Sequence, residues 1–119
     1  MEAFPREIRN YQTQAGREPF VEWLIHLTEL QAKVAITKQL ERAQFGNLGD
    51  CKAVGEGVLE LEVPVGPGYR VYLGQDGKFL VILPYGGEKH TRKEDVKLAK
   101  KYGADYKLRR QEGESRYGS

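Results

Sequence analysis

The sequence predicts an α+β domain, and three observations support this. Apolar residues recur with a period near 3.6 from Phe20 to Ala43, the period changes to 2 from Val58 onward, and a helical pattern returns after Gly86-Gly87. Together they predict two N-terminal helices packed on an antiparallel sheet, made of an N-terminal strand and a three-stranded meander, with a short C-terminal helix. The 119 residues, 39% of them hydrophobic, suffice for one core and are too few for two ordinary domains. The expected division is one domain over residues 1–110 and a flexible tail over 111–119.

Ile8, Asn10 and Tyr11 lie in the first strand. Gly16 follows, and Pro19 suits the first turn of a helix because its missing N–H is not needed there. Phe20, Trp23, Leu24 and Leu27 then occupy one face at i, i+3, i+4 and i+7. Thr28-Glu29-Leu30-Gln31 has the form of a capping box and predicts a second helix start. The stripe of that helix is Ala32, Ile36, Leu40 and Ala43, and Gly46 ends it.

The meander starts beyond the glycine-rich stretch 46–50. Leu59, Leu61 and Val63 alternate with Val58, Glu60 and Glu62; Gly66-Pro67-Gly68 turns the chain; residues 69–73 return; Asp76-Gly77 turns it again into 79–85. Pairing residue 65 with 69 and 73 with 80 puts Leu59, Leu61, Val63, Tyr69, Val71, Leu73, Leu80, Ile82 and Pro84 on a core face. The same register puts Glu60, Glu62, Arg70, Tyr72, Val81, Leu83 and Tyr85 on the other, which an antiparallel sheet can leave open to a ligand. Thr91-Arg92-Lys93-Glu94 is a second capping box, and Gly103 is the expected C-cap of its helix.

No apolar run approaches the roughly 20 residues of a membrane span, and the first residues lack a signal-peptide pattern. A single cysteine, Cys51, cannot form an internal disulfide, which agrees with a reducing cytoplasm. Charge is divided unevenly. Residues 1–88 carry nine Lys/Arg against twelve Asp/Glu, and residues 89–119 carry ten against five. That basic end suits a phosphate-bearing ligand or an acidic partner, and equally a solvated tail. The residues predict no metal site and no cofactor: His26 and His90 are far apart, Cys51 has no thiol nearby, and the glycine pairs lack the context of a phosphate loop.

Arg70, Tyr85, Lys89, His90 and Arg92 come from a strand, a strand end and the loop beyond it, and their chemistry suits cleavage of an RNA phosphodiester. The ribose 2′-OH is the nucleophile, so the protein need only move protons and neutralise charge on phosphorus. Arg70 supplies a planar fork of donors for the phosphate; Lys89 and His90 are the proton-transfer candidates. Lys52, Arg92 and Lys93 can hold phosphate, and Tyr72 and Tyr85 can stack on splayed bases. Each has a plainer reading: Arg70 pairs with Glu60 or Glu62, the tyrosines merely cover the sheet, and Lys89, Arg92 and Lys93 are a solvated helix start. Cations at a helix N-terminus oppose its dipole, and an anion bound there would remove that cost.

Gly55-Glu56-Gly57-Val58-Leu59-Glu60-Leu61, then Gly66-Pro67-Gly68-Tyr69-Arg70-Val71-Tyr72, then Gly86-Gly87-Glu88-Lys89 resembles the addiction-module killer proteins of the RelE/ParE superfamily of bacterial toxins. Phe20-Val21-Glu22-Trp23-Leu24 and the segment 46–52 extend the likeness over most of residues 8–106. The resemblance implies a cytoplasmic toxin of a type II toxin–antitoxin pair, held by a helix-turn-helix antitoxin and reaching operator DNA only through it. For the RelE-like branch it implies a metal-independent mRNA endoribonuclease acting on the ribosome. Arg70 matches the family's phosphate-stabilising arginine, and Lys89 its basic loop. Relatives usually read Glu-Leu-Arg where this chain has Glu60-Leu61-Glu62, an anion in place of a cation. The alternatives are a ParE-like toxin that binds DNA gyrase without catalysis and a degenerate toxin that only partners its antitoxin.

Overall fold

The computed structural model describes residues 6–77, 79–86 and 91–116. Along the chain these form β1 (Glu7–Asn10), α1 (Pro19–His26), α2 (Leu30–Gln44), β2 (Cys51–Gly55), β3 (Val58–Val63), β4 (Tyr69–Asp76), β5 (Phe79–Gly86) and α3 (Arg92–Arg116). The α+β class is as expected. The strands form one sheet in the order β1-β5-β4-β3-β2.

The helical stripes bury as their spacing predicts. Ala32, Ile36, Leu40 and Ala43 of α2, with Phe20 of α1, pack on Leu59, Leu61, Val63, Val71, Leu73, Leu80 and Ile82 to form the main core. The start of α2 differs from expectation in chemistry: Glu29 is its N-cap, and no side chain caps it.

Two features of the sheet differ from the expected antiparallel sheet of an N-terminal strand and a three-stranded meander. β1 runs parallel to β5, with Glu7 opposite Phe79 and Asn10 opposite Ile82. A period of 2 is the same in either direction, so the pattern of a strand carries no information on this point. The second feature is β2, an edge strand before the expected meander. Lys52 and Ala53 are both exposed, so β2 lacks the alternation of a half-buried strand. It joins β3 through Glu56-Gly57, whose φ values of 56° and 77° are of the sign a type I′ hairpin turn demands.

The registers are each two residues away from those expected. Val63 faces Tyr69 and Leu73 faces Ile82. A shift of two preserves parity, so the β3 and β4 side chains, with Leu80, Ile82 and Leu83 of β5, keep their faces. Asp76 pairs with Phe79 and thus belongs to β4. An irregularity between Val71 and Leu73 then makes Gly86 the partner of Arg70 and Tyr85 that of Val71. Tyr85, expected to share a face with Arg70, is thus the cross-strand partner of the core residue Val71.

The second face is covered where it was expected to be open. Tyr11, Val58, Tyr72, Leu83 and Ala99 form a second buried cluster, with Val54, Val96, Tyr102 and Tyr106 packed against it. α3 supplies the cover and runs on to Arg116, through the expected cap at Gly103 and six residues into the expected tail. Gly103 is buried and is not among the positive-φ glycines. A Cβ there would lie 3.6 Å from both Leu83 Cδ1 and Val58 Cγ2, an ordinary contact distance that leaves room for a methyl group and no more. On either side of it side chains tie the helix to the sheet and to Tyr11. Tyr102 stacks on Tyr11 with centroids 4.7 Å apart. Tyr11 donates to Asp105 at 2.6 Å, Tyr106 donates to Asp76 at 2.8 Å, and Arg110 pairs with Asp76 at 2.9 Å. Among the described residues no helix is long and apolar enough to cross a membrane.

Candidate anion site around Glu60

Three neighbouring strands bring Lys52, Glu60 and Tyr72 into one row, because Glu60 is the cross-strand partner of both Lys52 on β2 and Tyr72 on β4. Glu60 is fully buried. Its Oε2 accepts from Tyr72 Oη at 2.9 Å and from Arg92 Nε at 2.9 Å, and its Oε1 accepts from Arg92 Nη2 at 3.2 Å. Lys52 Nζ lies 3.6 Å from Oε1 and Arg70 Nε 3.9 Å from Oε2. Three cations from β2, β4 and α3 therefore surround one carboxylate, and their charge exceeds it.

Burial by itself pushes the Glu60 carboxyl up, but the hydrogen bonds from Arg92 and Tyr72 and the charges of Arg92 and Lys52 outweigh it and hold the group below the usual carboxylate range. Burial, and donation to Glu60, raise Tyr72 well above an ordinary phenol. Tyr72 is a fixed, neutral donor.

Exposure decides which groups can reach a ligand. The Lys52 side chain is 58% exposed, Arg92 37% and Arg70 12%. An open depression of about 290 Å³ lies beside Glu60, lined by Asp50, Cys51, Lys52 and Glu62 as well; another of about 260 Å³ extends from Glu62 past Pro64, Pro67 and Gly68 to Arg70. Glu62 faces Arg70 across the strands and lines both.

Of the residues singled out in the sequence, Lys52, Arg70, Tyr72 and Arg92 are brought together. Tyr72 corrects its expected role: its ring is fully buried under α3 and closed to a base, and its hydroxyl supports Glu60. Lys93 follows Arg92 on the helix and is exposed. Lys89 and His90 lie outside the described residues, as does the side chain of Tyr85. The residue that sequence reasoning missed as a centre is Glu60, which entered only as one pairing choice for Arg70. A usable signal existed in the cationic helix start, which needs an anion; the chain supplies its own.

No family model and no solved structure matches the chain. A curated protein of Haemophilus influenzae, described as an uncharacterized protein, is 48% identical over 81 residues, which cover 68% of this chain and 82% of the relative. The chain belongs to the same family as that Haemophilus influenzae protein.

Proposed function

We propose that this chain is the toxin of a type II toxin–antitoxin pair and cuts mRNA on the ribosome. One observation carries the reading: Lys52, Arg70 and Arg92, from three separate elements, converge on a single buried carboxylate beside an open depression. Converging cations suit a phosphodiester, whose pentacoordinate transition state gains negative charge. In the proposed reaction the ribose 2′-oxygen bonds to phosphorus, the bond to the 5′-oxygen breaks, and the products are a 2′,3′-cyclic phosphate and a 5′-hydroxyl. Arg70 stabilises the phosphorane, while Arg92 and Lys52 hold phosphate. Lys89 and His90 are the groups proposed to take the 2′ proton and supply one to the 5′-oxygen. The sequence resemblance supports a RelE/ParE-like arrangement of these elements, a helix-turn-helix antitoxin as partner, operator contact only through that antitoxin, and a cytoplasmic location.

A second reading, a non-catalytic toxin that binds DNA gyrase, is favoured by Glu62 and Asp50. Their carboxylates line the depression beside Lys52 and oppose a phosphate there. The experiment that separates the two is a bacterial cell-free translation reaction in which new mRNA 5′ ends are mapped with and without ribosomes. Cuts in register with codons, dependent on ribosomes and reduced at least about a hundredfold by Arg70→Ala, are expected; loss of one transition-state donor commonly has that effect. Intact message with folded wild-type protein transfers the reading to a protein target.

A further inference from the structure

Glu60 is the buried charged side chain of the described residues, and the proposed reaction gives it no direct part. With no exposed surface it cannot touch a phosphate. Stability alone does not require a carboxylate there, because a buried ion pair replaced as a whole by well-packed apolar side chains often leaves a protein as stable or more so. What Glu60 does is fix other groups. It takes Nε and Nη2 of Arg92, leaving the other guanidinium N–H groups of a partly exposed side chain for a ligand. It keeps Lys52 Nζ at 3.6 Å and Arg70 Nε at 3.9 Å, so cations from three separate elements stand together although they repel one another. Tyr72, itself buried, locks the carboxylate from β4.

We propose that Glu60 is the positioning residue of a phosphate clamp: it sets Lys52, Arg70 and Arg92 in one arrangement before the ligand arrives, and the ligand is the phosphodiester backbone of single-stranded RNA. The choice of RNA rests on the nuclease reading above, but the test measures binding alone. Holding the donors in advance removes the ordering that each flexible cation would otherwise undergo on binding.

The sign of one substitution separates positioning from simple charge. The probe is a labelled 2′-O-methyl oligouridylate, which lacks the nucleophilic hydroxyl and cannot be cut, followed by fluorescence anisotropy across a salt series. Removing a negative charge near a phosphate tightens binding if charge alone matters. Glu60→Gln is expected instead to weaken it about tenfold, equivalent to about 1.4 kcal/mol. The plot of log affinity against log salt should become shallower by about 0.7 as one phosphate contact is lost. Glu62→Gln, the same change of charge at an exposed neighbour, is expected to tighten binding. A Glu60→Gln protein that binds as tightly as wild type or tighter overturns the proposal. If that variant loses helix by circular dichroism, Arg92→Lys decides: it keeps the charge, loses the two-pronged pair with Glu60, and binding equal to wild type overturns the clamp. Wild-type protein that binds the probe no better than the matching DNA strand at about 50 mM salt overturns RNA as the ligand, while the nuclease reading is judged separately by the ribosomal cleavage assay.

Discussion

Arg92, the first residue of α3, donates from Nε and Nη2 to both carboxylate oxygens of Glu60 in the middle of β3, at 2.9 and 3.2 Å. The pair ties the start of the helix to the sheet. It also puts an anion where the helix dipole favours one, so the unfavourable position of a cation in the first turn is offset from within the chain.

The pH dependence of stability follows from that pair. The folded carboxyl of Glu60 lies below its ordinary 4.5. As pH falls through that range the unfolded chain takes up a proton that the folded chain refuses, so the stabilisation present above about pH 4.5 is lost on acidification. Urea unfolding followed from pH 7 to pH 3 is expected to show this loss. Glu60→Gln should be less stable at pH 7 and should have a flatter profile; an equally steep profile in the variant would assign the acid sensitivity to other carboxylates.

Tyr11 is the corresponding point at the middle of the helix. Burial and its bond to Asp105 push its phenol up to about 12 from 10.0. The folded state therefore favours the neutral phenol, and its contribution is complete below pH 10 and lost as pH rises toward 12. Tyr11→Phe keeps the ring that stacks on Tyr102 and removes the hydroxyl. It is expected to cost about 1.5 kcal/mol in urea melts at neutral pH, the low end for a bond to a charged group, since Arg109 still donates to Asp105. A variant as stable as wild type would show the bond to be unimportant.

Gly103 lies inside a helix, where glycine is less favourable than alanine by about 0.5–1 kcal/mol. The added Cβ would meet Leu83 and Val58 at ordinary contact distance. Gly103→Ala is accordingly expected to stabilise the fold by that amount, whereas Gly103→Leu should lift α3 from the sheet and destabilise it by about 1–3 kcal/mol. Thermal melts of the two variants test this, and destabilisation by the alanine would mean that α3 is packed more tightly than these distances indicate.

What could be read in advance was what depends on local periodicity. Ala32, Ile36, Leu40 and Ala43 formed a stripe in the sequence and are the buried residues of α2. The β3 and β4 residues expected on the core face are there, because errors of two in register leave parity intact. α3 was underestimated because its contact face uses Tyr102, Tyr106 and Gly103, residues that a search for aliphatic spacing passes over. Each tyrosine buries a ring and keeps its hydroxyl for a partner. Of the site, the cations Lys52, Arg70 and Arg92 were legible as charges suited to phosphate, and Tyr72 was misread as an open stacking surface.

The sequence by itself determined the α+β class, the helix pair α1 and α2, the meander from β3 to β5 and the presence of a basic C-terminal segment, since each is written in nearest-neighbour patterns of polarity and turn residues. Only the tertiary structure decided that β1 runs parallel to β5, that β2 adds an edge, and that α3 covers the second face. Those outcomes depend on which elements meet across long chain separations. Glu60 shows the difference most clearly. In the sequence it is one acidic residue in an alternating strand, and it becomes a buried centre only when Lys52, Tyr72 and Arg92, which lie 8, 12 and 32 positions away along the chain, arrive from three other elements.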